Sequence, residues 1–168
     1  MKTLITVILG IFLFVLESVW HGVFMGHFLM FDGLVALLTW HALRYEFPYG
    51  VLAPIFLGFA SGFFTIVTSF LYLIIFLLAF FTVRYLKQYI FFSPLPHRMV
   101  LVMGLSFAYT ATLMLLTDAI DLIWPWAFFQ ALINTALSPL LFKWFDVFSN
   151  FILGFVRKKG EKKTITAF

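Results

Sequence analysis

Two histidines and two carboxylates fall within the stretch ESVWHGVFMGHFLMFD, as Glu17, His21, His27 and Asp32. Imidazole and carboxylate together can ligate a borderline metal ion or pass a proton along a relay. Glu17 and His21 are four apart, on one face of a helix, close enough to pair. A plainer reading also stands. The stretch ends an apolar hairpin, where polar side chains can reach the membrane surface and form a wet outer mouth. Zinc hydrolysis would call for a spacing such as H-E-x-x-H, which does not occur. The chain has no cysteine, which excludes disulfides, thiolate metal sites and a Cys nucleophile. It has no G-x-S-x-G and no phosphate loop. Asp118 and Asp121 are three apart, as paired acids could be, but no basic clamp lies near them. No enzyme activity and no cofactor are expected.

A second set of residues concerns helix contact. Gly58 and Gly62 in GFASGFF have the G-x-x-x-G spacing that lets helix backbones approach closely, and Thr65, Thr68 and Ser69 could hydrogen-bond across the contact. An internal packing groove is favoured over a dimer face. In ALINTALSPLLFKWFDVF, Asn134 puts an amide inside an apolar run, and Pro139 frees the carbonyl of Thr135, which a neighbour must satisfy. His41 with Arg44, and His97 with Arg98, read as interfacial caps on the positive side of a membrane. Other Ser and Thr hydroxyls are expected to bond to the backbone.

The elements that must position these residues follow from composition. Of 168 residues, 64% are hydrophobic and 11% charged, 25 are Phe, and the mean hydropathy is +1.08. Soluble domains average about 45–50% apolar residues. A chain of this size could not hide the excess from water, so an all-α integral membrane protein is expected. A span needs about 20 residues, and cutting at charges, prolines and glycines gives six: about 3–24, 27–44, 49–69, 71–91, 99–117 and 126–143. Beyond the last, Lys143, Asp146 and Asn150 among aromatic residues predict an amphipathic continuation along the inner surface. The organisation is one six-span transmembrane domain over 1–156 and a basic tail over 157–168.

Orientation follows the basic residues. Lys2, Arg44, Arg84, Lys87, Arg98 and the tail share one side if both termini are cytoplasmic. Five of the eleven Lys and Arg lie in RKKGEKK, residues 157–163. That cluster reads as an anchor on anionic lipid; nucleic acid binding would want basic residues spread over a folded face.

FFQALINTALSPLLFKWFDVF resembles the closing signature of the MreD family of bacterial rod-shape-determining proteins, in which an apolar helix carries Asn, small residues and Pro before a basic end. FDGLVALLTWHALRYEFPYGVLAPIFLGFASG, residues 31–62, is similar to that family's second and third spans. Where the family often places an Asp after the glycine pair, this chain has FFTIVTSFLYL, without an acid. The resemblance implies a multi-pass protein of the bacterial cytoplasmic (inner) membrane, a non-enzymatic scaffold of cell-wall elongation. Its implied partners are an MreC-like bitopic protein and, through it, MreB filaments and a glycosyltransferase/transpeptidase pair. Gly58, Gly62, Asn134 and Pro139 would then serve helix packing or partner binding. A substrate-binding membrane subunit of an energy-coupling transporter has the same size and layout, with Glu17, His21, His27 and Asp32 lining its pocket.

Overall fold

The computed structural model describes residues 2–23, 32–63, 69–92, 94–116 and 123–165, with side chains apart from those of 2, 18, 20–23, 63, 69, 116, 123, 124 and 155–165. Among the described residues the fold is all-helical: α1 Lys2–Val23, α2 Gly33–Arg44, α3 Leu52–Phe63, α4 Ser69–Tyr89, α5 Leu95–Leu116 and α6 Ile123–Ile165, with a 3-10 turn at Tyr49–Val51 leading into α3. Prolines mark the starts. Pro54, Pro96 and Pro125 each lie in the first turn of α3, α5 and α6, where the N–H they lack has no intrahelical partner to lose.

Among the described residues, three helices are long and apolar enough to cross a membrane, over Phe70–Tyr89, Leu95–Leu115 and Pro125–Gly154. Each face of α4 is apolar. Tyr72, Phe76, Phe80 and Val83 are buried in the bundle, while Phe70, Ile74, Leu78 and Phe81 are exposed on the other side. In α1, Ile5, Leu9 and Leu13 form a buried seam and Leu4, Ile8, Phe12 and Val15 point outward. A helix that is hydrophobic all round suits hydrocarbon rather than water on its outer face.

The short helix α2 is the centre. Every residue from Gly33 to Ala42 is buried, because α1, α4, α5 and α6 all pack on it. Its 12 residues span about 18 Å, well short of a hydrocarbon core of about 30 Å. The larger core cluster joins Leu37 and Trp40 of α2 to Leu9, Leu57, Phe76, Val102 and Phe145. The most extensive helix–helix contacts are those of α3 with α4 and of α5 with α6.

The last helix differs from the expected one. The expected span of 126–143 followed by a surface-lying segment is instead one helix of 43 residues with Pro139 inside it. Phe145 and Ser149 are buried beyond the predicted exit point. The reason is local: Asp146 meets Arg44 at 2.8 Å and accepts from the Trp40 indole N–H, so its charge is matched within the bundle and packing continues past it. Pro139 does not break the helix either. The Ser138 hydroxyl donates to the Thr135 carbonyl at 2.8 Å, satisfying the acceptor that Pro139 leaves without its usual amide.

Candidate functional site

An α-helix begins with backbone N–H groups that have no partner inside the helix, and α2 begins them deep in a protein interior. Each of the first ones is accepted by a side chain. The Asp32 N–H donates to Asn134 Oδ1 at 3.0 Å, the Gly33 N–H to Glu17 Oε1 at 2.6 Å and the Leu34 N–H to Asp32 Oδ1 at 3.1 Å. Asp32 is thus the N-cap of α2. Its carboxylate and that of Glu17 sit where the positive end of the helix dipole favours negative charge.

The network extends to α5. Asn134 Nδ2 donates to Ser106 Oγ at 2.6 Å. Asn134 is 1% exposed, so its amide oxygen and nitrogen serve two different helices from inside α6. Four elements therefore meet at one point: α1 through Glu17, α2 through its amides, α5 through Ser106, and α6 through Asn134. Thr3 bonds to the Tyr49 carbonyl at the other end of the bundle. From Thr3, Glu17 is fourteen residues along α1, a rise of about 21 Å, and Asp32 is about 18 Å from Arg44 along α2. The cluster therefore lies well inside the bundle, on the far side of its middle.

Of the four residues of the expected polar pocket, Glu17 and Asp32 come together, while the His21 side chain and His27 lie outside the described residues. The wet outer mouth does not describe Asp32, which is buried and spends its carboxylate on its own helix. Among the described residues no three His, Cys, Asp or Glu side chains are grouped to hold a metal ion.

Gly58 is buried on α3 against α4. A Cβ there would stand 2.6 Å from Leu73 Cα, closer than atoms can approach, so the missing side chain sets the α3–α4 spacing. Gly62 is half-buried on the same helix. Ser61 between them bonds its own helix at Leu57 O; Thr65, Thr68 and the Ser69 side chain lie outside the described residues, as do Asp118 and Asp121. Thr39, Thr112 and Thr135 likewise donate to carbonyls four residues back, which keeps hydroxyls satisfied without water.

His41 is not an interfacial cap. It is fully buried, with Nε2 2.9 Å from the Gly50 carbonyl and Nδ1 2.7 Å from the Thr6 hydroxyl. A carbonyl only accepts, so Nε2 carries the proton, and in the neutral ring Nδ1 accepts from Thr6. This links α1, α2 and the 3-10 turn. His97 and Arg98 do cap locally, on the carbonyls of Phe91 and Phe92 at 3.1 and 2.7 Å.

Ser106 and Thr6 carried no signal in the sequence, because each partner is on another helix and no fixed spacing relates them. The buried amide in α6 was the one available sign that such partners exist. Comparison with protein-family models, with curated proteins and with solved structures returns no match.

Proposed function

We propose that the chain is a non-enzymatic membrane scaffold of the MreD kind, with its six helices set in the bacterial cytoplasmic membrane and both termini inside. It acts by binding an MreC-like bitopic protein and, through it, MreB filaments and the enzymes of lateral wall synthesis. The observation that carries the scaffold reading is the use made of the deep polar groups. Glu17, Asp32, Ser106 and Asn134 all bond across or along helices, which fixes the bundle's shape and leaves recognition to its outer surface. A transport subunit would instead aim Glu17 and Asp32 at a ligand, and here they hold amides of α2.

Two further features support the topology. Arg44, Lys87 and Arg98 gather at one end of the bundle, and the contact of Thr3 with Tyr49 brings the start of α1 to that same end, as positive-inside charge requires. Single cysteines introduced at Lys2 and Phe168 of this cysteine-free chain should both be shielded from an impermeant thiol reagent in whole cells.

The partner test is extraction in mild detergent with a tagged MreC-like protein from the same cell. Co-elution at fixed stoichiometry is expected. A bundle that remains helical and monodisperse yet elutes without the tagged partner would refute the scaffold role.

A further inference from the structure

We infer that the basic end of the bundle binds a phosphate group carried on an apolar anchor, the headgroup of an anionic membrane lipid. This goes beyond the scaffold role and holds whether or not a protein partner binds. A cavity of about 560 Å³ opens there between α2, α4, α6 and the connection into α5. Arg44, Lys87 and Arg98 line it together with one carboxylate, that of Asp146.

What distinguishes these cations is how they are held. Lys87 Nζ donates to the Leu43 carbonyl at 2.7 Å, and Arg98 Nε donates to the Phe92 carbonyl at 2.7 Å. A neutral carbonyl fixes the position of a cation without cancelling its charge, and both side chains keep further N–H donors to offer. Arg44 alone among the three has an acidic partner among the described residues, Asp146, which also accepts from Trp40. Two positive charges therefore stand uncompensated in a wall that also contains Trp40, Phe92 and Phe142.

Phosphate oxygens match this arrangement, since a guanidinium offers paired donors and an ammonium a point charge. Basic pockets between transmembrane helices on the cytoplasmic side are suited to lipid headgroups. The size favours an amphiphile over a free ion: a bare phosphate would fill little of a cavity on the scale of small-molecule sites, about 300–1,000 Å³. The rim agrees, because Tyr89 and Phe91 are 70% and 78% exposed beside it, placing aromatic surface where acyl chains would leave the site.

The test is lipid retention by native mass spectrometry, with the full chain purified in neutral detergent and exchanged with phosphatidylglycerol or phosphatidylcholine. Retention of phosphatidylglycerol over phosphatidylcholine is expected. Lys87→Gln with Arg98→Gln should weaken it roughly 30-fold, about 2 kcal/mol at about 1 kcal/mol per basic residue. Neutralising the tail instead, by Lys158, Lys159, Lys162 and Lys163→Gln, should leave that tight lipid in place. Equal retention of the two lipids, or unchanged retention in the double variant, would overturn the inference. Thermal stabilisation by inorganic phosphate equal to that by phosphatidylglycerol would overturn the lipid as the source of the phosphate. If the double variant does not fold, the wild type decides: retention must fall as sodium chloride is raised, and salt-independent retention counts against the site.

Discussion

Replacing Asn134 by Ala should cost far more than its small change in volume suggests. The Asp32 N–H would lose its acceptor at 3.0 Å and Ser106 its donor at 2.6 Å. An orphaned buried donor costs about 1–3 kcal/mol, and a side-chain bond between membrane helices contributes about 0.6 and up to about 1.7 kcal/mol. The two effects differ in kind. The Ser106 hydroxyl loses one donor to its oxygen and keeps its own O–H to donate, whereas the Asp32 amide is fixed by the backbone at the start of α2. Asn134→Ala is therefore expected to lower stability by about 2–4 kcal/mol. Ser106→Ala should lower it by no more than about 1.7 kcal/mol. The pair should show coupling of that same order in a double-mutant cycle. The assay is loss of helicity on titrating sodium dodecyl sulfate into mixed micelles. Asn134→Leu separates packing from polarity, since it fills the volume and still orphans the amide; it should be no better than Ala. An Asn134→Ala protein within about 0.5 kcal/mol of wild type, the scale of an inconsequential surface change, would refute the fastening role of the amide.

Three other outcomes follow from the same geometry. Gly58→Ala should separate α3 from α4 and destabilise the bundle, because its Cβ meets backbone, while Gly104→Ala, with nothing within 4 Å, should be neutral or stabilising by up to about 1 kcal/mol; thermal unfolding of the two variants side by side reads the contrast. His41→Ala removes the donor to the Gly50 carbonyl and the acceptor that Nδ1 offers Thr6 and should cost more than Thr6→Val, which keeps the bond to Gly50; the same detergent titration ranks them. Asp146→Asn keeps an acceptor for Trp40 and removes only a pair whose side chains are 39% and 35% exposed, so the titration should shift by no more than about 1 kcal/mol, and less in high salt.

Legibility in the sequence was uneven for physical reasons. Apolar runs longer than a turn of bilayer are unambiguous in composition, so the all-helical character and the long helices α4, α5 and α6 were readable. The end of α6 was not, because Lys143 and Asp146 look like an exit into water until Arg44, 102 residues earlier in the chain, is known to neutralise Asp146. His41 misled in the same way: an imidazole near Arg44 suggests an interface, and only the folded positions of Thr6 and Gly50 make a buried ring affordable. Asn134 was conspicuous because an amide in an apolar helix must find a partner, but nothing in the residue spacing told which helix would supply it. Periodicity describes one helix at a time; these bonds run between helices.

The cap of α2 also constrains the order of events during synthesis. The Asp32 amide is accepted by a side chain 102 residues later, and at about 5–20 residues per second that segment takes roughly 5–20 s to emerge. For that interval the most enclosed helix of the protein lacks one of its end contacts, and α5 and α6 must arrive before it can be closed in. The bundle is completed from its last helix inward, and a chain interrupted before Asn134 would leave its centre open.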